Sequence, residues 1–194
     1  NFAPTQKLNS PDLVKFRRTL VQGEWHPACD MCKNAEARGV ESMRTTWNKV
    51  ITNAPITEII DPANVKFLNL SFGNKCNSRC MTCNSESSNQ WLEEEKFIWG
   101  RTMIPIKLDH TIKTNTRLIH TFFNATTISF LGGEPTIVEE HLEFLKLLIE
   151  HRDCSKIQLQ YVSNLTNLTD ELIDCWKNFK AIGLTVSIDG YGKV

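Results

Sequence analysis

Apolar positions along the chain change rhythm near residue 62. Before it, Leu13, Phe16 and Leu20 recur three and four residues apart, which places them on one face of a helix. Ser10-Pro11-Asp12 reads as its start, with Ser10 as N-cap and Pro11 at the first helical position, and Gly23 as its end. A short second helix is predicted after the pair Cys29-x2-Cys32, and Pro55 and Pro62 mark a connecting stretch. Beyond Pro62, four runs read as strands: "VKFLNLSFG" from Val65, "ATTISFLGG", "KIQLQYVSN" and "AIGLTVSIDG". Helical patterns lie between them: "SSNQWLEEEKFIW", Asn115 to Phe123, "VEEHLEFLKLLIEH" with Leu142, Leu145 and Leu148 on its buried side, and "TDELIDCWKNF" capped by Thr169.

Strands alternating with helices at these lengths predict βαβ units and a parallel sheet, and right-handed crossovers would curl it toward a barrel. Each strand ends in polar or glycine-rich residues: Asn74-Lys75-Cys76, Gly132-Gly133-Glu134-Pro135, Ser163-Asn164 and Ser187-Ile188-Asp189-Gly190. In parallel α/β folds ligands bind at the carboxyl ends of strands, so four strand ends direct their chemistry to one face. The expected division is a helical, cysteine-containing segment at 1–60 and an α/β core at 61–194.

Composition narrows the function classes. With 22 basic and 22 acidic residues among 194, net charge offers no argument for nucleic acid. There is no apolar run of membrane-spanning length and no signal-peptide h-region, so a cytoplasmic location is expected. Glycosylation would require secretion, so the N-x-S/T triplets at Asn69, Asn124, Asn164 and Asn167 read as chance. Seven cysteines is an odd number, and five of them fall in two short clusters, which favours metal binding over disulfides. Cys154 and Cys175 stand alone and read as buried or incidental thiols. His26 reads as a solvated loop histidine.

The spacing Cys76-x3-Cys80-x2-Cys83 carries the chemistry. On a straight helix Cys76 and Cys83 would lie about 10 Å apart at 1.5 Å per residue, so a loop wrapped around the metal is the better reading. Asn77, Ser78 and Asn84 suit such a loop. Thiolates select zinc or iron–sulfur. A zinc site would need a fourth ligand from elsewhere, whereas a [4Fe–4S] cluster held by three thiolates keeps one iron open to a small molecule. Ser163-Asn164 and Ser187-Ile188-Asp189 read either as ligand-binding strand ends or as ordinary turns.

Taken together, these motifs resemble those of the radical S-adenosylmethionine (SAM) enzymes. The cysteine loop after the first strand is similar to their cluster loop, and Gly132-Gly133-Glu134-Pro135 is similar to their methionine-binding motif. The third- and fourth-strand ends and "CNSESSNQW" resemble the SPASM/twitch branch. The fold implied is a partial (β/α)6 barrel spanning about Val65 to Gly190, with four of six βα units present. On that resemblance the chain is expected to be an incomplete portion that needs further polypeptide to act. The resemblance implies that Cys76, Cys80 and Cys83 ligate a [4Fe–4S] cluster, that Gly132, Gly133 and Glu134 receive the methionine part of SAM, and that Ser163, Ser187 and Asp189 offer groups to its carboxylate and ribose. It implies reductive cleavage of SAM to a 5′-deoxyadenosyl radical that abstracts hydrogen from a substrate. A peptide is the expected substrate and a nucleotide-derived small molecule the alternative. A ferredoxin or flavodoxin is the expected reductant. One position departs: the residue before the third cysteine, often aromatic in the family, is Thr82. Gly23 to Arg44, with Cys29-x2-Cys32 and Ser42-x-Arg44, resembles a twitch-like element in which the pair would help hold a second iron–sulfur cluster. A zinc knuckle, or a pair with no metal, is the alternative there.

Overall fold

Four parallel strands pair in chain order into a single sheet, as the computed structural model of the chain shows. The structure describes residues 8–50, 57–100 and 111–188. They fall into two compact units, Asn1–Pro62 and Ala63–Val194.

The first unit is helical: α1 at Pro11–Val21, α2 at Asp30–Ala37 and α3 at Met43–Val50. Ser10 stands at the N-cap of α1 but its side chain makes no capping bond, so Pro11 with its preset φ carries the start. Helix α3 was not expected, although Met43, Trp47 and Val50 in "MRTTWNKV" recur at helical spacing; all three side chains are exposed. Its start is made by local polar exchange: the Ser42 amide donates to Thr45 Oγ1 at 2.9 Å and the Thr45 amide to Ser42 Oγ at 3.1 Å. His26 is a half-buried cap and not a solvated loop residue. Its Nδ1 accepts the Ala28 amide at 3.1 Å, and its ring meets the edge of Phe16 at 4.9 Å.

In the second unit the order is β1 (Phe67–Ser71), α4 (Leu92–Trp99), α5 (Ile112–Thr121), β2 (Thr127–Leu131), α6 (Glu139–His151), β3 (Gln158–Ser163), α7 (Asp170–Trp176) and β4 (Ala181–Val186). This is the α/β architecture expected for part of a radical SAM barrel. Thr169 caps α7, accepting the Leu172 amide at 3.2 Å. Helix α5 starts three residues earlier than its apolar pattern indicates, because Thr111 Oγ1 accepts the Thr114 amide and fixes the first turn. "SSNQW" is a 3₁₀ turn ahead of α4, with Ser88 as its cap. The fourth strand stops at Val186, and Asp189-Gly190 lies outside the described residues.

The core is aromatic and aliphatic around β2 and β3. Ile128, Phe130, Leu159 and Tyr161 meet Phe144, Leu145 and Leu148 of α6 and Leu172 and Trp176 of α7. The buried face of α6 runs His141, Phe144, Leu145 and Leu148, and Leu142 is only half-buried at its margin. The expected stripe was thus off by part of a turn, because a histidine occupies a position that the apolar pattern assigns to solvent. His141 is satisfied inside: its Nε2 lies 3.0 Å from Tyr161 Oη, which also accepts Trp176 Nε1–H at 3.0 Å.

Burial pushes His141 down to about 4. In the unfolded chain the imidazole takes its proton near pH 6.5, so there the unfolded state binds more protons than the folded one. The contribution is therefore complete above about pH 6.5 and is lost as pH falls toward 4, to a limit of about 3 kcal/mol. Thermal unfolding should show a midpoint falling from pH 7 to pH 5 in the native chain, and a weaker fall in His141→Gln. Equal slopes would show that other groups set the acid sensitivity.

Candidate cofactor site at the strand ends

Beyond β1, residues 72–75 run against the end of β2. The Gly133 amide donates to Gly73 O at 3.0 Å and the Glu134 amide to Lys75 O at 2.8 Å. The two glycines make that approach possible. A Cβ at Gly132, where φ is +116°, would lie 2.4 Å from Gly73 O, and one at Gly133 would lie 2.0 Å from Lys75 O. The backbone admitted so closely is thus the chain leading into the cysteine loop.

That loop is anchored by side chains standing in for missing secondary structure. The Cys76 amide donates to Asn89 Oδ1 at 2.9 Å, and Gln90 Nε2 donates to Cys76 O at 3.1 Å. Trp91 Nε1 donates to Cys80 O at 3.0 Å, and Ser88 Oγ to Ser78 O at 2.8 Å. Asn74 Nδ2 holds the far end through Ser85 O at 2.7 Å. Ser85 in turn gives its amide and hydroxyl to Glu95 of α4, bonds that hold that carboxyl below its ordinary range. The Ser78 amide points at Cys76 Sγ, 3.4 Å away. The chain therefore folds as a loop, as expected, and not as a helix through the thiols.

Cys76, Cys80 and Cys83 are half-buried, and none of them is in a disulfide. Among the described residues no three Cys, His, Asp or Glu side chains converge on a point that one metal ion could occupy. That is no obstacle to a cluster in which each thiolate ligates its own iron. Three soft donors on one anchored loop, with backbone N–H directed at sulfur, are the donor set that an iron–sulfur cluster needs.

Glu134 sits at the N-cap of a 3₁₀ turn over Pro135–Ile137 and is 1% exposed. Its Oε1 accepts the Thr136 amide at 3.2 Å, Thr136 Oγ1 at 2.7 Å and Ser163 Oγ at 2.7 Å. Its Oε2 accepts the Asn164 amide at 2.7 Å. Both oxygens accept hydrogen bonds from residues at or beyond the ends of β2 and β3, so the carboxylate ties two strand ends together. Ser163 is 3% exposed and also receives the Leu165 amide at 2.9 Å. The Ser187 amide extends the β3–β4 ladder to Ser163 O at 2.9 Å, and its side chain is exposed at the strand end. Asp189 lies outside the described residues.

In the first unit, Cys29 closes a 3₁₀ turn at Pro27–Cys29 and Cys32 lies in the first turn of α2. Glu36 binds Ser42 Oγ at 2.5 Å, Arg44 Nε at 3.0 Å and Arg44 Nη2. Those bonds, Arg44 foremost, lower the Glu36 pKa. The bond to Glu36 raises that of Arg44, with smaller effects from Cys32 and Cys29. The guanidinium lies 4.9 Å over the Trp25 ring, at the edge of a cavity of about 420 Å³ that also reaches Gly23. The structure therefore brings Gly23, Glu36, Ser42 and Arg44 around one cluster, with both thiols within electrostatic reach of the arginine.

The isolated thiols Cys154 and Cys175 are buried, and desolvation pushes Cys154 up to about 11 and Cys175 upward. Sequence reasoning placed Asn74 and Asn164 at strand ends, Asn77 in the loop and Ser88, Asn89 and Trp91 in a motif, but it missed their part as anchors, and it passed over Thr136 altogether. The one available signal was the density of Asn and Ser around the thiols, residues whose side chains replace backbone partners. The model of a protein family described as the Radical SAM superfamily matches residues 70–193, which takes in the end of β1, the other three strands, the cysteine loop and the Glu134 turn. No curated protein matches the chain.

Proposed function

The chain belongs to the radical SAM superfamily, and from that premise we propose that it is an enzyme that modifies a peptide. Members of the family use a [4Fe–4S] cluster and SAM. When bound, the two supply one-electron cleavage of a sulfur–carbon bond, giving methionine and a 5′-deoxyadenosyl radical that takes hydrogen from the substrate.

The observation that supports this reading is the joining of the cysteine loop to the Gly132–Glu134 turn at the carboxyl ends of β1 and β2. On this reading Cys76, Cys80 and Cys83 ligate three irons and leave the fourth open. The 132–134 turn would receive the methionine part of SAM, and the Ser187 hydroxyl would be offered to it from beyond β4. A small one-electron carrier such as a ferredoxin or flavodoxin serves as reductant. Among the described residues no helix is long and apolar enough to cross a membrane.

The test is anaerobic loading of the full chain with iron and sulfide, followed by dithionite and SAM, with mass spectrometry of co-expressed candidate peptides. A broad visible absorbance bleached by dithionite, and a peptide changed in mass only when the loop cysteines are intact, are the expected results. One zinc per chain with no such band would point to a metal-stabilised binding module instead.

We also propose that Cys29 and Cys32 bind a second metal centre, of the SPASM/twitch kind. The support is their pairing at the start of α2 beside Arg44, whose charge suits anionic thiolates. Iron per chain should fall in the Cys29→Ala, Cys32→Ala variant while the first cluster's signal persists. Identical iron and zinc content in both proteins would refute it.

A further inference from the structure

We infer that Asn164 is a positioning residue that locks the stretch between the first two cysteines to the ends of β2 and β3. The inference rests on the cluster reading above only for what the loop holds; the lock itself is a property of the chain.

Every hydrogen-bonding position of the Asn164 amide is used. Its Nδ2 donates to Asn77 Oδ1 at 2.9 Å and to Ser78 Oγ at 3.1 Å. Its Oδ1 accepts the Thr166 amide at 3.0 Å and Thr166 Oγ1 at 2.7 Å. Asn77 Nδ2 closes a ring by donating to Thr166 Oγ1 at 2.7 Å. The Asn164 main-chain amide meanwhile holds Glu134 Oε2. One residue therefore touches the turn after β2, the end of β3 and the loop that directly follows Cys76.

An ordinary turn would not need all of this. The bonds from Thr166 to Oδ1 complete an Asx-type turn by themselves. The Nδ2 bonds to Asn77 and Ser78 cross to another part of the chain and add nothing to that turn. The geometry that allows them is strained: Leu165, the next residue, has φ of +53°, left-handed for a residue with a branched side chain. The destination matters too, because Ser78 is the residue whose amide points at Cys76 Sγ. By fixing Ser78, Asn164 fixes the donor to the first sulfur and the direction in which that sulfur faces. The apo loop is thereby held in its ligating shape before iron arrives.

The experiment uses the full chain with Asn77→Ala, Asn164→Asp and the double variant. Asn77 is exposed, so its truncation leaves the fold intact. Aspartate keeps the turn-making oxygen and loses the donors. Hydrogen exchange of the apo chain is read at amides 76–80 and, as an internal reference, in β3. The loss of one or two bonds predicts roughly tenfold faster exchange in the loop and no change in β3 for each single variant. The double variant should equal the larger single effect, since both cut one connection. Chelator-driven iron release from the loaded protein should accelerate by a similar factor. Unchanged loop exchange in Asn77→Ala, or additive effects in the double variant, would overturn the lock. If the native chain takes up no iron, the cluster reading fails while the exchange data still decide the lock. Global loss of protection in Asn164→Asp would assign that residue to the core, and Asn77→Ala would then carry the decision.

Discussion

Replacing Cys76, Cys80 and Cys83 together by alanine is expected to abolish the electron paramagnetic signal of the loaded, reduced protein while leaving the apo fold intact. The two parts of that outcome have separate causes. The thiols are half-buried and the loop is held by groups other than sulfur: Asn89, Gln90 and Trp91 on the main chain of Cys76 and Cys80, and Asn74 on Ser85. Truncating three partly exposed side chains should therefore cost little stability, on the order of 1 kcal/mol each or less. The metal has no such reserve, because no other described His, Cys, Asp or Glu set stands ready to replace them. Single replacements should weaken the signal strongly, since two thiolates hold a cluster poorly. An unchanged signal in the triple variant, with unchanged iron content, would place the cluster elsewhere. The Cys29, Cys32 pair would then be the first place to look.

The strands were legible because Val, Ile and Phe runs are bounded by glycine and polar residues, and their parallel pairing followed from the helices between them. Thr169 as a cap was legible for a similar reason, since a threonine before Asp170 and Glu171 has few other uses there. The loop character of 76–83 was legible from axial rise alone. What could not be read was the direction of each polar side chain. "GGEP" indicates a tight turn, but nothing in it says that the carboxylate faces inward toward Ser163 and Asn164, some thirty residues further on. The same holds for His141. Its partner Tyr161 sits on β3, so the apolar pattern of α6 treats the histidine as a surface position. Helix α3 was missed although Met43, Trp47 and Val50 recur at helical spacing, since three apolar residues in a polar stretch are a weak signal and its start is made by a Ser42–Thr45 exchange. Side-chain partners distant in sequence are tertiary facts, and they override local periodicity where they occur.

Glu134→Gln is expected to lower the apo protein's unfolding midpoint by about 5–10 °C, the equivalent of roughly 2–3 kcal/mol in a chain of this size. The native carboxylate accepts four donors and is nearly sealed from water. An amide offers one acceptor oxygen. If that oxygen keeps Thr136 and Ser163, the new NH2 faces the Asn164 amide, donor against donor, in a site that water cannot reach to mediate. If the side chain turns over, three donors lose their acceptor instead. A bond to an ionised acceptor is also stronger than the neutral one that replaces it. SAM affinity should fall as well, because the turn at 132–134 and the loop at 76–78 share this anchor. The order of the effects separates two roles. A variant with native stability and weakened SAM binding would mean that the carboxylate meets the ligand directly. A destabilised apo protein, with binding recovered at low temperature, would mean that it works through the strand ends.

The consecutive order of the strands has a further consequence, for how the protein assembles. The chain between register partners shortens along the sheet, from about sixty residues between Phe67 and Thr127, to about thirty between Thr127 and Gln158, to just over twenty between Gln158 and Ala181. Closing the longest of these loops costs only about 0.8 kcal/mol more than closing the shortest, and both outer strands are half-buried or exposed, β4 more so than β1, while Phe130 and Leu159 at the centre are sealed. The sheet should therefore nucleate at β2–β3, with β1 admitted through the longest closure, and in the native protein the outer strands β1 and β4 should open before the centre. The loop that carries the three thiols leads directly out of the end of β1 and is tied besides to the ends of β2 and β3. Iron delivery would then be a late event in maturation, made on a nearly finished molecule whose outermost strand can still open to a donor.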